Sequence, residues 1–509
     1  MIKDKETFMK KWQKFLTGSL TIAAMVTLVA CGGKKAAEKP KPSKSDATAA
    51  ASDKNSYTPI SELKDGYDVI IIGAGGAGMT AAIEAKDAGM NPVILEKMPV
   101  AGGNTSKSSA GMNASETSVE KAQGIEDSNQ KFFDETLKGG GGTNDQALLR
   151  YFVDHSASAI DWLSQNGIVL DNLTTTGGMS VSRTHRPHDG SAVGQYLVAG
   201  LEKNIRSRNI PLFVNVDVTK LLEKEGKISG VEATIKETDK KKISAKAVIV
   251  TTGGFGVNKE MVAKYRPDLK DYVSTNAAGS TGDGIKMIEK LGGDTVDLDQ
   301  IQIHPTVFKK TGYLVTEAVR GEGAILVNKE GKRFVNEMTT RDKVSEAELQ
   351  QAGQSAYLIF GDKTKAAVKA IDQYISKDMV VSARSLEELA KKTGIDQAEL
   401  AKTVTTWNEA VAAKSDPAFE RNTGMANDIS GTYYAITVSP GIHHTMGGVK
   451  INTETQVLKK DGQAIAGLYA AGEVTGGLHG KNRIGGNAVA DIIIFGRQAG
   501  TQAAAYAKK

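Results

Sequence analysis

Apolar residues in this chain come in short unbroken runs that end at glycines. Tyr67-Asp68-Val69-Ile70-Ile71-Ile72 runs into Gly73-Ala74-Gly75-Gly76-Ala77-Gly78, and Val93-Ile94-Leu95 runs into Glu96-Lys97. An apolar run without alternation reads as a strand covered on both faces, the kind found in parallel sheets. The pattern predicts strand, glycine turn, helix Met79 to Ala88 and second strand. Helical spacing recurs over Asn144 to Gln165 and Gly190 to Ser207. Strand-like runs follow at Pro211 to Val216, Ile228 to Lys236 and Lys246 to Val250. Thr281-Gly282-Asp283-Gly284 opens a helix Ile285 to Leu291. After Ile303 the style changes. Up to about Met425 charge is denser, Lys- and Glu-rich helices fall between Ser382 and Ala413, and the glycine turns stop. They return at Pro440 to Gly448, Gly467 to Glu473 and Gly485 to Ala488, before a closing helix Val489 to Tyr506. The expected fold class is α/β: a Rossmann-like dinucleotide domain in two parts, 57–303 and 426–509, with an inserted α+β capping domain, 304–425.

The first glycine turn carries specific chemistry. Gly73 allows the tight turn, Gly75 the approach of a pyrophosphate, and Gly78 close packing of the helix on the sheet. Gly76 and Ala77 complete the turn, and the helix Met79 to Ala88 after it aims its free N–H groups at phosphate. Glu96, with Lys97 beside it, stands where a ribose hydroxyl needs an acceptor. Gly102-Gly103-Asn104-Thr105 and Gly111-Met112-Asn113 read as loops of backbone donors along the cofactor. Thr252, Gly253, Asp283, Glu473, Ala488 and Val489, in the later glycine-rich turns, complete the candidate cofactor residues.

The N-terminal part reads differently. Lys10, Lys11 and Lys14 precede a short apolar stretch, Phe15 to Ala30, too short for a comfortable membrane span. It closes on Leu28-Val29-Ala30-Cys31-Gly32, which resembles a bacterial lipobox. That resemblance implies a signal peptide over 1–30, cleavage before Cys31 and diacylglycerol on its sulfur. Residues 31–56 lack the apolar content to bury anything and read as a disordered tether. The expected location is the outer face of the cell membrane, held by the lipid. Cys31 is the only cysteine of 509 residues, which excludes an intramolecular disulfide, a cysteine-ligated iron–sulfur cluster and a Cys-X-X-Cys-His haem site. The formal charge of +5 falls partly in this segment. No block of arginines and aromatics suits a nucleic acid.

Three histidines and three arginines stand in turn or glycine contexts: His304, His443, His444, Arg320, Arg341 and Arg483. Glu317 and Arg320, three apart, would share the face of a helical turn. Arginine pairs carboxylates in bidentate fashion, so the inventory favours an anionic substrate. The histidines lack metal-ligand spacing, and no metal is expected.

From Tyr67 onward these motifs resemble, in order, the flavoprotein subunits of fumarate reductase and succinate dehydrogenase, above all the soluble flavocytochrome c type. They are the first glycine turn, Gln302-Ile303-His304-Pro305-Thr306, Thr316 to Gly321, Arg333 to Asp342, His443 to Gly448, Gly472 to Gly477 and Asn482 to Ala488. The resemblance implies FAD as cofactor and an unsaturated carboxylate as substrate, fumarate above all. It implies that His304, His443, Arg483 and Thr316 hold the carboxylates, and that Arg341 is clamp and general acid. Glu317 and Arg320 would relay its proton, and His444 would lie by the flavin.

Departures from the family pattern matter too. The loop Asn104 to Ser109 has no histidine for a covalent flavin, so the FAD is expected to be non-covalent. Haem motifs are missing, and Cys31 to Tyr57 leaves no room for a covalent FMN domain. Electrons are therefore expected from a separate protein or a quinone-linked chain. Competing readings keep the scaffold but reduce urocanate, acrylate or cinnamate, or make the chain a non-catalytic flavin lipoprotein. A ketosteroid dehydrogenase or aspartate oxidase shares the flavin motifs but not the set Glu317, Arg320 and Arg341.

Overall fold

The computed structural model describes residues 57–235 and 238–509. The expected signal segment, Cys31 and the tether lie outside the described residues.

The strand Gly66–Ile72 sits at the centre of an eight-stranded sheet, with Val69 to Ile72 buried. Pro92–Leu95 and Asp239–Val250 flank it, both parallel, with Ile71 opposite Ile94 on one side and Ile249 on the other. Leu212–Phe213 and Ala464–Ala470 extend the parallel order at the two sides. Both faces are covered, which explains the unbroken apolar runs. The helix Gly76–Asp87 lies on this sheet, and the long closing helix Asn487–Ala507 packs against it.

Several boundaries differ from the sequence reading. The first helix starts at Gly76 rather than Met79, because Gly75 is extended (φ −75°, ψ −177°) and caps it. The pattern over Asn144 to Gln165 is two helices, Gln146–Asp154 and Ser156–Gln165, broken at His155. The run Pro211 to Val216 is split by Asn215 at φ +57°, a left-handed position that ends one strand and starts another, Val216–Lys224.

The second sheet has six antiparallel strands. Ile301–Phe308 pairs with Tyr433–Thr445, which pairs in turn with Ala356–Phe360 and Val381–Ala383. Two apolar clusters cover its faces. One gathers Val319, Val344, Leu358 and Ile436, and the other Ile325, Leu400, Trp407 and Ala435. The helices Leu386–Thr393 and Gln397–Ala413 belong to the latter. The strand Tyr433–Thr445 is common to both halves of the molecule. Its first part contributes Tyr434, Ile436 and Val438 to a cap cluster, and its last part contributes Ile442 to the main core. No helix among the described residues is long and apolar enough to cross a membrane.

Candidate active site

A cleft with about 1520 Å³ of empty space runs from Glu96 and Asp217, past the first glycine turn, to His443, His444 and Arg483. Its length, from Glu96 beside the second strand to Arg483, suits an extended dinucleotide rather than a compact ligand. Gly75 faces it: a Cβ there would meet only Thr105 Oγ1, at 3.8 Å, so the missing side chain leaves the backbone open to a ligand. On the wall, Thr252 Oγ1, Arg483 Nε, Asp491 Oδ1 and both ring nitrogens of His444 are buried without hydrogen-bond partners. Buried polar atoms rarely stay unsatisfied, so these fit a bound polar cofactor.

Most candidate cofactor residues line this cleft: Gly73, Gly75, Gly76, Ala77, Glu96, Lys97, Gly103, Asn104, Thr105, Gly111, Thr252, Gly253, Asp283, His444, Glu473, Arg483, Ala488 and Val489. Gly78, Gly102, Met112 and Asn113 stand behind its wall. Gly78 is in the first turn of the helix, and a Cβ there would lie 2.0 Å from the Gly73 carbonyl oxygen. The Gly102 N–H donates to the Ala74 carbonyl at 2.9 Å, and Met112 is in the core. Asn113 donates to the Gly485 carbonyl and to Asn487 Oδ1, both at 2.7 Å, and so carries the Gly485 turn.

Glu96 accepts from the N–H groups of Ala74 at 2.7 Å and Met98 at 2.8 Å, which fixes the glycine turn against the second strand. Burial raises its carboxyl above the ordinary range, and these N–H groups partly offset that. Lys97 donates to Asp283 at 2.6 Å. Asn104 donates to Glu473 at 2.9 Å and accepts from the Ala277 N–H at 2.6 Å. Burial raises the Glu473 carboxyl as well.

At the far end of the cleft the second sheet brings the charged groups together. Arg341 opens the helix Arg341–Leu349 and forks onto Glu317, Nε to Oε1 at 2.8 Å and Nη2 to Oε2 at 3.0 Å. Glu317 precedes the short turn Ala318–Gly321, which places Arg320 Nη2 3.4 Å from the same Oε1. Arg320 also donates to the Glu337 carbonyl at 2.6 Å. Gln302 Oε1 accepts from Arg341 at 3.0 Å and from Arg483 at 3.1 Å. His304 Nε2 is 3.8 Å from Glu317 and its ring meets His443 edge-on at 5.1 Å. His443 Nδ1 is 2.8 Å from Thr275 Oγ1. Thr316 is buried nearby, and its N–H donates to the Tyr374 hydroxyl at 3.0 Å.

Electrostatics here favour an anion. Burial alone would raise the Glu317 carboxyl, but the guanidinium groups of Arg341, Arg320 and Arg483 bring it down to about 2. Burial, then the like charge of Arg341, lowers Arg483 to about 9. Burial and the nearby arginines hold His304, His443 and His444 well below the ordinary histidine value, so all three are neutral near pH 7. All three guanidinium groups act on Glu317, while Glu473 and Asp491 also act on Arg483 and Glu337 on Arg320. Gln302, a neutral acceptor, is the shared contact of Arg341 and Arg483, where a carboxylate ligand would suit both.

Sequence reasoning overlooked Gln302 as a functional residue, along with Thr275 and Asp217. Gln302 sits in a strand run where an amide reads as ordinary, and only the tertiary fold, which brings Arg341 from the start of a helix and Arg483 from a distant turn onto its Oε1, shows that it lies between two arginines. Among the described residues no group of His, Cys, Asp or Glu could hold a metal ion.

A dinucleotide cleft that ends among arginines fits a nucleotide cofactor with an anionic group beside it. The family model described as an FAD binding domain matches residues 68–489. The chain is 50% identical over 476 residues to an NADH:fumarate oxidoreductase of Klebsiella pneumoniae (strain 342), covering 93% of this chain and 51% of that protein. It thus spans about half the length of that relative. It is 48% identical over 446 residues to the fumarate reductase (cytochrome) of Shewanella frigidimarina, covering 87% of this chain and 78% of that one. The open conformation of a flavocytochrome c3 fumarate reductase superposes with a TM-score of 0.75 at 42% identity, over 94% of this chain and 83% of that one. The chain belongs to the fumarate reductase and succinate dehydrogenase flavoprotein family, and its cofactor is FAD.

Proposed function

We propose that the protein reduces an unsaturated dicarboxylate, fumarate to succinate, outside the cytoplasmic membrane, to which a lipid on Cys31 holds it. The observation that carries the reaction is the sharing of Gln302 by Arg341 and Arg483 beside the Arg341–Glu317 fork. The relatives named above support the choice of fumarate.

FAD held without a covalent bond by the glycine turn, Glu96, Asn104 and Glu473 would supply hydride chemistry at the arginine end of the cleft. Arg483, His443, His304 and Thr316 hold the carboxylates. Arg341 polarises the substrate, stabilises the negative charge that develops on it, and protonates the carbon beside the one that receives the hydride. An arginine ordinarily holds its proton tightly, and the Glu317 carboxylate, bonded to both Arg341 and Arg320, offers a route to replace it. The electrons come from a separate donor protein or a quinone-linked chain.

The test is Arg341→Lys, which keeps the charge and loses the fork. Turnover on fumarate should fall by roughly 10²–10⁴, the usual contribution of a general acid. Glu317→Gln should slow turnover while affinity stays close to wild type. Near-normal turnover in Arg341→Lys would mean that another group is the acid. A panel with urocanate and acrylate decides the substrate. Anchoring is tested by Cys31→Ala, expected to release the protein from membranes or leave its signal uncleaved. A processed, membrane-bound variant rules out the lipid.

A further inference from the structure

A second, small hollow opens to solvent beside the clamp and belongs to neither the flavin cleft nor the proton relay. Its rim is exposed, at Ala192 and Lys369, and its floor is the buried Thr316. Ser109 lines both this channel and the flavin cleft, so the two adjoin. One wall comes from the segment after the strand Thr184–Arg186 and the other from residues 367–370 of the cap.

Arg186 stands in this channel with its Nε buried and without a hydrogen-bond partner. The acids whose charges act on it are occupied elsewhere. Asp189 takes Lys369 at 3.2 Å and the Ser191 N–H at 3.0 Å, and Glu322 takes Asn427 at 3.3 Å. A guanidinium left short of acceptors, between bulk solvent and the substrate threonine, is suited to one carboxylate of a small anion.

We propose that this channel is an outer site for the dicarboxylate on its way to Arg341 and Arg483, with Arg186 as the group that first takes its carboxylate. The proposal rests on the reading of the clamp given above. A station on the path lowers the barrier to entry and exit alike. It therefore changes the rates of binding and release together and leaves the equilibrium nearly untouched.

Succinate is the probe, mixed rapidly with the FAD-loaded protein at several salt concentrations and followed by flavin absorbance. Arg186→Gln should cut the association rate constant by about tenfold, the lower range of electrostatic steering, and flatten its salt dependence. The release rate should fall in step, so that Kd moves little, and Arg186→Lys should restore most of the loss. The Arg186 stem also packs on Gly111, where a Cβ would lie 2.9 Å from Arg186 Cγ, so flavin content is measured alongside. Lys369→Gln, on the exposed rim, should slow association in the same direction. An association rate and salt slope like wild type in Arg186→Gln overturn the proposal. So does a weakened Kd at unchanged association rate, which would place Arg186 in the final complex. Flavin loss in Arg186→Gln with normal association in Lys369→Gln overturns it too. A wild type that binds no succinate and reduces no fumarate overturns the reading of the clamp, and the channel with it.

Discussion

Arg483 shows at the scale of one residue how burial and function pull against each other. Its folded value of about 9 lies below the ordinary arginine range, so the folded state favours its neutral form. The sign follows directly. Below about 9 the residue is charged, at a cost to stability. Above it the charge is lost and that cost is relieved. Affinity for a dicarboxylate should therefore fall as pH rises through about 9 while the fold does not loosen. kcat/KM, which reports the free protein, should break there, and thermal melts over the same range should show no matching loss. The neutral histidines predict no break near the ordinary histidine value. Arg483, Arg341 and His443 were picked out in the sequence because each has glycines or turn-forming residues nearby, although the structure puts His443 in a strand and Arg341 at the start of a helix. Gln302 was not. Its role depends on a helix start and a turn, far apart in sequence, that bring Arg341 and Arg483 onto it, and that is a property of the tertiary fold.

At the scale of elements, the turn that carries Glu317 and Arg320 is only four residues long and cannot hold itself. Glu337 does much of the holding. Its carboxylate takes Arg333 at 2.7 Å and Arg421 at 2.9 Å, and its carbonyl takes Arg320. Burial would raise this carboxyl, but Arg421 and Arg333 lower it. A depressed carboxyl stabilises the fold above its unfolded value, and that contribution is lost on acidification. Glu337→Gln should cost roughly 3–5 kcal/mol, the usual penalty for breaking a buried pair from one side. Its melting deficit against wild type should narrow at acid pH. Equal melting at pH 7 would show that the cluster carries no such weight. The sequence marked Glu317 with Arg320 as a pair and Arg333 to Asp342 as a motif, but not Glu337 as the group that ties the two together. Helices and buried strands were readable from periodicity, but their ends were not. Gly75, His155 and Asn215 set boundaries through backbone angles that hydrophobic spacing does not record.

At the scale of the whole molecule, the change of style after Ile303 was visible in composition, whereas the strand Tyr433–Thr445, which pairs in the second sheet and packs Ile442 into the main core, was not. Its residues serve cap and cofactor cores in turn, and it delivers His443 and His444 to the cleft. The consequence concerns cooperativity. Two cores threaded by one strand cannot melt one at a time, because loss of the cap frees the strand that closes the cofactor core. Heating the FAD-loaded protein should therefore give a single endotherm in which the unfolding of the two halves is not resolved. Non-covalent flavin should appear in solution at that same temperature. Two resolved transitions, or a flavin that stays on the unfolded chain, would show that the shared strand does not bind the two halves into one unit of unfolding.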